Sequence, residues 1–413
     1  MTPFSNSLRA IAAVAVAATL AACADNGPTA VVPPPTPVDA LFTNYVALGN
    51  SLTAGYQSGG IDDSTQRLSY PSLLAQAMKT RYAYASLAAP GCPPPIVNFQ
   101  TQARLAGGTA ATCGLRTVTS ITTTLNNVAV PGALVADPTS VSTSASNALT
   151  TFILGGKTQV AKAADANPTF ISVWIGTNDV LSAAISGVLV PTPGVTTGVT
   201  SQTDFQTSYG AIVTALKAIP TLKGGVLIGV LNVAGVPALF PVAAFQNPAF
   251  KAGFDQFAGG TTTVLPNCLV APGNQALVSI QIIAQMRSGA HPRVIACAPN
   301  SIPGTPIGNI FILDASEQAS LAATVAAYNT FIQSQASANG WVYYDPNPLL
   351  ASLKTSGCIS VVPNLANATQ PFGQCISLDG IHPTVTANTA LAANLIAAIN
   401  AQYKTNLSAS VPN

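Results

Sequence analysis

The feature that most constrains this chain is the alternation of short, continuous apolar runs with segments of helical periodicity. Four runs are apolar at nearly every position, namely Tyr45–Leu48, Phe170–Ile175, Val226–Leu231 and Trp341–Tyr344, and a weaker candidate is Tyr82–Leu87. Consecutive apolar positions are typical of strands that are covered on both faces. The sequence therefore predicts about five strands in a mostly parallel central sheet.

The segments between these runs predict amphipathic helices. Thr203–Ala218 places its apolar residues on one helical face. Asp314–Asn339 opens with the spacing of a capping box, and Gly340 stands where a glycine ends many helices. Thr384–Tyr403 repeats an apolar residue at every fourth position. This alternation predicts an α/β fold with helices on both faces of the sheet, in which ligands bind beyond the carboxyl ends of the strands.

The composition excludes two classes of function. Charged residues are 7% of the 413 residues and the net charge is +2. Because no basic stripe is available to neutralise phosphates, a nucleic-acid partner is not expected. The two histidines are His291 and His382, which argues against a multi-histidine metal site. The composition does not indicate an oligomeric state.

Residues 1–22 are typical of an export signal. Met1–Arg9 is polar, and Ala10–Leu20 is an apolar run too short to span a membrane. The run leads into Leu-Ala-Ala and then Cys23, which resembles a bacterial lipoprotein signal, in which the cysteine is acylated. The alternative is an ordinary signal cleaved at Ala-Cys-Ala. We predict an exported, membrane-anchored lipoprotein of the bacterial outer membrane, periplasm or cell surface, lipidated at Cys23.

Residues 23–40 combine this cysteine with a proline-rich tether. Five prolines fall within Ala24–Asp39. Extended polyproline chain rises about 3.1 Å per residue, so this segment would reach roughly 50 Å. That length is enough to hold a folded domain away from a membrane surface.

The other six cysteines suit an exported protein. They fall into three neighbouring pairs, Cys92 with Cys113, Cys268 with Cys297, and Cys358 with Cys375. Each disulfide would close a loop of about 17–29 residues and contribute roughly 3 kcal/mol in the chain-entropy model. An export signal favours disulfides over the alternative of buried free thiols. The spacing does not fix the pairing, because six cysteines allow fifteen connectivities.

Three segments place a serine, a glycine and an asparagine at turns near the predicted strands. Ser51, in Gly-Asn-Ser-Leu, follows the first strand and can present its hydroxyl at the sheet edge, although serine in such a turn is usually a helix cap. Gly132 ends Asn-Val-Ala-Val-Pro-Gly, where it is either a turn former or a backbone N–H donor. Asn178, in Gly-Thr-Asn-Asp, is either a turn former or an amide donor toward developing negative charge.

A fourth segment, Asp379–Thr384, places a carboxylate three residues before a histidine. A loop lets Asp379 curl back to Nδ1 of His382, which would fix the tautomer and leave Nε2 free as a base. The alternative is a structural histidine near a helix start. His291 has no carboxylate close in sequence.

Together these four segments resemble the SGNH (GDSL-type) hydrolase family, whose four blocks occur here in order between Leu41 and Tyr403. The resemblance implies a flavodoxin-like three-layer α/β/α sandwich and ester hydrolysis without metal or organic cofactor. It also implies a small-molecule or lipid ester as substrate.

The resemblance assigns a role to each matching residue. Ser51 becomes the nucleophile, His382 the general base and acid, and Asp379 the residue that orients His382. The backbone N–H groups of Ser51 and Gly132 and the side-chain amide of Asn178 become the oxyanion hole.

The chain departs from the family pattern in three ways. Asn50 stands where the first block usually has Asp, and Gly91 competes with Gly132 as the second-block glycine. Residues 41–405 are predicted to form a single domain followed by a tail at 406–413. That domain is longer than compact members, with insertions near 92–113, 138–163 and 235–307.

Two questions remain open from the sequence alone. Five phenylalanines within 240–257 form either a satellite core or an apolar lid beside the site. The chain is predicted to be an extracytoplasmic serine esterase or lipase that works through an acyl-enzyme. The alternative is a non-catalytic surface-binding lipoprotein that retains the hydrolase fold.

Overall fold

The computed structural model describes residues 36–116, 124–141, 148–190, 198–298 and 310–409. The predicted signal peptide, Cys23 and most of the tether lie outside these ranges. Among the described residues, no helix combines the length and the apolarity needed to cross a membrane.

The strands of the described residues are short, with two to five residues each. They are β1 Tyr45–Gly49, β2 Ile96–Asn98, β3 Ala103–Arg104, β4 Phe170–Trp174, β5 Gly224–Ile228, β6 Leu239–Pro241, β7 Thr263–Val264, β8 Leu277–Ser279, β9 Val294–Ile295, β10 Ile312–Leu313 and β11 Val342–Tyr344.

The α-helices range from one turn to 24 residues. They are α1 Ser51–Ala54, α2 Asp63–Arg67, α3 Tyr70–Met78, α4 Ala148–Leu154, α5 Gln159–Ala164, α6 Asn178–Ser186, α7 Gln202–Lys217, α8 Pro248–Ala258, α9 Ile282–Ser288, α10 Ala315–Ala338, α11 Asn347–Thr355 and α12 Val385–Tyr403.

The central sheet is parallel, with the order β1-β4-β5-β11. Residues 125–130 run beside β1 as a further edge segment, because Ala47 N donates to Asn126 O and Val130 N donates to Gly49 O. The expected mostly parallel sheet is confirmed. Tyr82–Leu87 is not a strand; it contributes a single bridge from Tyr84 to Asn127.

The residues of the central strands alternate between two apolar cores, as the period of two in a strand requires. Val46, Leu48, Ile171 and Val173 pack on one face with α5, α7 and α10. Tyr45, Ala47, Phe170 and Val226 pack on the other face with α3 and α12. Coverage of both faces explains why these runs are apolar at consecutive positions, and it gives the three-layer α/β/α arrangement.

A third core is centred on the long insertion between β5 and α10 and also takes in side chains from elsewhere in the chain, such as Phe99 and Phe372. It surrounds the antiparallel sheet β10-β8-β6 and contains Phe240, Phe245, Phe250 and Phe254, all buried, with several of their rings in edge-to-face contact. The phenylalanine-rich segment is therefore a satellite core, and the lid interpretation is wrong.

Three disulfides join the cysteines in the neighbouring pairs that the spacing favoured. Two of them, Cys268–Cys297 and Cys358–Cys375, belong to the satellite core. The third, Cys92–Cys113, closes the loop that contains β2 and β3.

Candidate active site

Ser51 sits at the first position of α1, directly beyond the carboxyl end of β1. The turn into the helix passes through Gly49, which has φ +156°, and a Cβ there would lie 2.4 Å from the carbonyl oxygen of Trp174. Asn50 caps the helix by accepting a hydrogen bond from Leu52 N at 3.1 Å. Asn50 therefore has a structural role, and the short turn leaves the Ser51 hydroxyl at the rim of the sheet.

The loop before α12 brings the imidazole of His382 to this hydroxyl. His382 Nε2 lies 2.8 Å from Ser51 Oγ, and His382 Nδ1 lies 2.8 Å from Asp379 Oδ2. Only 9% of Ser51 and of His382 is exposed. The structure therefore connects Ser51, His382 and Asp379 in one hydrogen-bonded chain across more than 300 residues of sequence.

Asp379 is held as a carboxylate by several donors. Besides the His382 ring, it accepts hydrogen bonds from the backbone N–H of Gly59 at 2.8 Å and of Ile381 and His382 at 2.9 Å each, and from Ser377 Oγ at 3.1 Å. Burial alone raises the pKa of this carboxyl, but the charge of His382 and these hydrogen bonds outweigh burial and hold the pKa well below its ordinary value. An ionised Asp379 fixes Nδ1 of His382 as the protonated nitrogen.

The loop 56–60 supports the site, and the sequence analysis did not identify it. The ring of Tyr56 lies 5.0 Å from the His382 ring, and burial together with the nearby Asp379 raises the pKa of Tyr56 to about 12. Ser58 and Ser377 connect this loop to the histidine loop, because Ser58 N donates to Ser377 Oγ at 2.8 Å. These contacts join residues over 300 positions apart, so no local sequence signal marks them.

Gly132 and Asn178 face the same cavity as Ser51. Gly132 follows the edge segment beside β1 and has φ +87°. Asn178 begins α6, directly after β4, and donates one amide hydrogen to Ala133 O at 2.9 Å. Its second amide hydrogen is left for a ligand. Among the described residues, the backbone N–H groups of Ser51 and Gly132 donate to no protein acceptor.

Asp179 is a second residue that the sequence analysis did not assign. Its carboxylate accepts hydrogen bonds from Val135 N at 2.9 Å and from Thr200 Oγ1 at 2.8 Å, which ties the loop after Gly132 to α6. Burial raises its pKa to about 7, the two hydrogen bonds oppose this shift, and the nearby Asp137 adds to it. The segment that carries Gly132 is thus held by a buried carboxyl group.

A cavity of about 450 Å³ opens over these groups. Its lining includes Ser51, Gly132, Asn178 and His382, and the described lining residues include no Asp, Glu, Lys or Arg. The groups that can bind a carbonyl oxygen and transfer a proton therefore line one mostly apolar cavity.

The two competing residues from the sequence do not line this cavity. Gly91 packs against Ile61, where a Cβ would lie 2.3 Å from the carbonyl oxygen, and Gly132 is the glycine at the site. His291 is buried, with Nδ1 2.6 Å from Pro292 O and its ring near Phe311. Burial lowers the pKa of His291.

The described residues contain no group of three or more His, Cys, Asp or Glu side chains arranged to hold a metal ion.

Comparison with known proteins gives one family match. Residues 45–239 match the GDSL-like lipase/acylhydrolase family. No curated protein matches the chain.

Solved structures resemble the chain at low sequence identity. An acetylxylan esterase from Geobacillus stearothermophilus, solved as a catalytic mutant, is 11% identical with a TM-score of 0.38, covering 89% of this chain and 97% of its own. An α/β hydrolase from the metagenome of Lake Arreo, Spain, is 12% identical with a TM-score of 0.37, covering 89% and 99%. An extracellular lipase from Streptomyces rimosus is 12% identical with a TM-score of 0.35, covering 87% and 99%.

Proposed function

The chain belongs, through residues 45–239, to the GDSL-like lipase/acylhydrolase family, and we propose that it hydrolyses carboxylic esters through an acyl-enzyme on Ser51. As a serine ester hydrolase it needs a nucleophile, a base and donors for the developing oxyanion. The residues at the rim of the sheet supply all three.

The first step is attack of Ser51 Oγ on the ester carbonyl carbon. At 2.8 Å, His382 Nε2 accepts the hydroxyl proton as the new carbon–oxygen bond forms. Asp379, at 2.8 Å from Nδ1, stabilises the resulting imidazolium and remains ionised. The low pKa of Asp379 suits this role, because the carboxylate keeps its charge while His382 takes up the proton from Ser51.

The negative charge that develops on the carbonyl oxygen is stabilised by three donors. These are the backbone N–H groups of Ser51 and Gly132 and the second amide hydrogen of Asn178. Loss of one such donor costs about 3–4 kcal/mol of transition-state stabilisation. Because Ala133 and Asp179 hold the Gly132 segment and α6 together, the donors are positioned before the substrate binds.

Collapse of the tetrahedral intermediate releases the alcohol and leaves the acyl group on Ser51. The His382 imidazolium gives its proton to the leaving alkoxide oxygen. A water molecule then enters, His382 takes its proton, and the hydroxide attacks the acyl carbon. When this second tetrahedral intermediate collapses, the bond from the acyl carbon to Ser51 Oγ breaks, His382 returns its proton to Oγ, and the acid is released.

The observation that carries this proposal is the unbroken chain of contacts from Asp379 through His382 to Ser51 Oγ. The test measures hydrolysis of p-nitrophenyl esters by the wild type, by Ser51→Ala and by the control Ser334→Ala, a serine exposed on α10. We expect Ser51→Ala alone to abolish hydrolysis and labelling by an active-site phosphonate. Equal activity of the wild type and Ser51→Ala would contradict the proposal.

An extracytoplasmic, membrane-anchored location is part of the same proposal. It is supported by the signal-like segment before Cys23 and by three disulfides, which persist in oxidising compartments. The test compares the full chain with Cys23→Ala after cell fractionation. Release of the variant from the membrane fraction is expected, and continued membrane association would refute lipidation at Cys23.

A further inference from the structure

The cavity over Ser51 is lined mostly by apolar groups. They include Leu149 and Leu181, and the Cys92–Cys113 disulfide with Pro93 and Ala111, which we call the wall. Apart from the reacting groups, the polar atoms on the side chains of the described lining residues are the hydroxyl groups of Thr112 and Tyr56. A lining of this kind binds an uncharged apolar chain and offers no charged partner to an ionic substrate.

The wall segment 106–112 is joined to the rest of the protein mainly through the residues that flank it, including the disulfide at Cys113. Its described hydrogen bonds stay within residues 105–112, for example Gly108 N to Leu105 O and Thr112 N to Thr109 O. It contains Gly107 and Gly108, and most of its residues are exposed. Attachment to the rest of the protein comes at its two ends, where Leu105 N donates to Pro95 O, Gly114 N donates to Gly91 O and Cys113 is bonded to Cys92.

Cys92 connects the disulfide to a buried part of the fold. It is buried, and its backbone N–H donates to Ile61 O at 2.9 Å. The following residue, Pro93, accepts a hydrogen bond from Ile61 N at 2.9 Å. The disulfide thus joins an exposed segment to a buried part of the fold, and it lines the same cavity as Tyr56, whose ring packs on His382.

We propose that the Cys92–Cys113 disulfide is the specificity-determining wall of the substrate cavity, which sets the length of apolar chain that an ester can place beside Ser51. This inference rests on the proposed esterase function. The substrate class is an uncharged ester with an aliphatic chain longer than acetyl. Each methylene buried before the wall is reached raises kcat/KM by about fourfold, and methylenes beyond the wall add nothing or reduce it.

The test measures kcat/KM for p-nitrophenyl esters from acetate to dodecanoate, and for alkyl acetates with the same range of alcohol lengths. The first variant is Cys92→Ser/Cys113→Ser, with Cys268→Ser/Cys297→Ser as its matched control, because that disulfide lies in the satellite core. The second variant is Ala111→Trp, which enlarges an exposed residue of the wall. Its matched control is Ala103→Trp, an exposed alanine in β3 that does not line the cavity.

We expect the wild type to show a length optimum in one of the two series. Removing the Cys92–Cys113 disulfide should move the optimum to longer chains, and Ala111→Trp should move it to shorter chains, with the ratio of long-chain to acetyl activity changing by at least about tenfold. The controls should keep the wild-type ratio. The series that responds identifies whether the acyl or the alcohol chain lies against the wall.

The outcomes separate this inference from the function on which it rests. If the wild type hydrolyses esters but neither wall variant changes the length profile in either series, the wall assignment is overturned and the esterase function stands. If the wild type hydrolyses none of the esters, the proposed function fails and the wall assignment fails with it. Should Cys92→Ser/Cys113→Ser not fold, Ala111→Trp against Ala103→Trp decides the question.

Discussion

Asp179→Asn is the substitution that most directly tests the electrostatics of the site. Asp179 is 2% exposed. Its carboxyl group accepts one hydrogen bond from Val135 N, in the segment that follows Gly132, and another from Thr200 Oγ1. Burial raises the pKa of this carboxyl from the ordinary 3.8 to about 7. Asparagine has nearly the same shape as a protonated Asp179 and does not titrate, so it isolates the effect of the charge.

The raised pKa of Asp179 determines whether stability rises or falls with pH. Between about pH 4 and pH 7 the folded protein holds a proton on Asp179 that the unfolded chain has lost, so the wild type becomes less stable as the pH rises through this window. The difference between 3.8 and about 7 corresponds to about 4 kcal/mol, as an order of magnitude. Asp179→Asn should therefore gain about that much free energy of unfolding, relative to the wild type, between acidic pH and about pH 8.

The measurement is urea unfolding with the disulfides intact, followed by the fluorescence of Trp174 and Trp341 at several pH values. Taking the difference between wild type and variant at each pH cancels the other titrating groups. Thr203→Ala, an exposed residue of α7 that carries no titrating group, is the control and should give a flat difference. A flat difference for Asp179→Asn as well would refute the reasoning, because it would mean that folding does not raise the pKa of Asp179.

Three further predictions concern the catalytic groups and the satellite core. Asp379→Asn should lower kcat for p-nitrophenyl butyrate by about 10³–10⁴-fold in the folded variant, since the amide no longer fixes the His382 tautomer, and should also lower the melting temperature, since the buried carboxylate accepts five hydrogen bonds; a loss of kcat below tenfold would contradict this. Asn178→Ala should lower kcat by about 10²–10³-fold with little change in KM, and a change confined to KM in the same steady-state assay would argue against an oxyanion donor. Phe254→Ala should lower the free energy of unfolding in urea by about 3–5 kcal/mol while leaving kcat at 25 °C within a few-fold, because its ring belongs to the satellite core and not to the cavity; loss of activity in the folded variant would contradict this.

The sequence predicted those features that are encoded by neighbouring residues. Four of the five apolar runs overlap strands, because each strand of the central sheet is buried on both faces. The boundaries moved by a few residues, as for β5, which begins at Gly224 and ends at Ile228. Asp379 and His382 were identifiable because a carboxylate three residues before a histidine can reach it within one loop.

Features that depend on contacts between distant segments could not be predicted in this way. The role of loop 56–60 arises from hydrogen bonds to residues over 300 positions away, and nothing near Tyr56 in the sequence marks them. Tyr82–Leu87 has an apolar content typical of a strand, yet it lies outside the sheet proper, next to the edge segment 125–130. The phenylalanines of 240–257 show helical spacing, which identifies an apolar face but not the surface that this face covers.

The same long-range contacts explain how residues from the two ends of the domain form one site. Leu378 N donates to Ser58 Oγ at 3.2 Å while Ser58 N donates to Ser377 Oγ at 2.8 Å, so the two loops hold each other reciprocally. Gly59 N then reaches Asp379 at 2.8 Å from the same loop. Loop 56–60 follows α1 directly. The stretch of chain that carries Ser51 therefore continues into the loop that positions Asp379, and Asp379 in turn orients His382. One short segment therefore contributes to the placement of both the hydroxyl and the carboxylate that orients the imidazole.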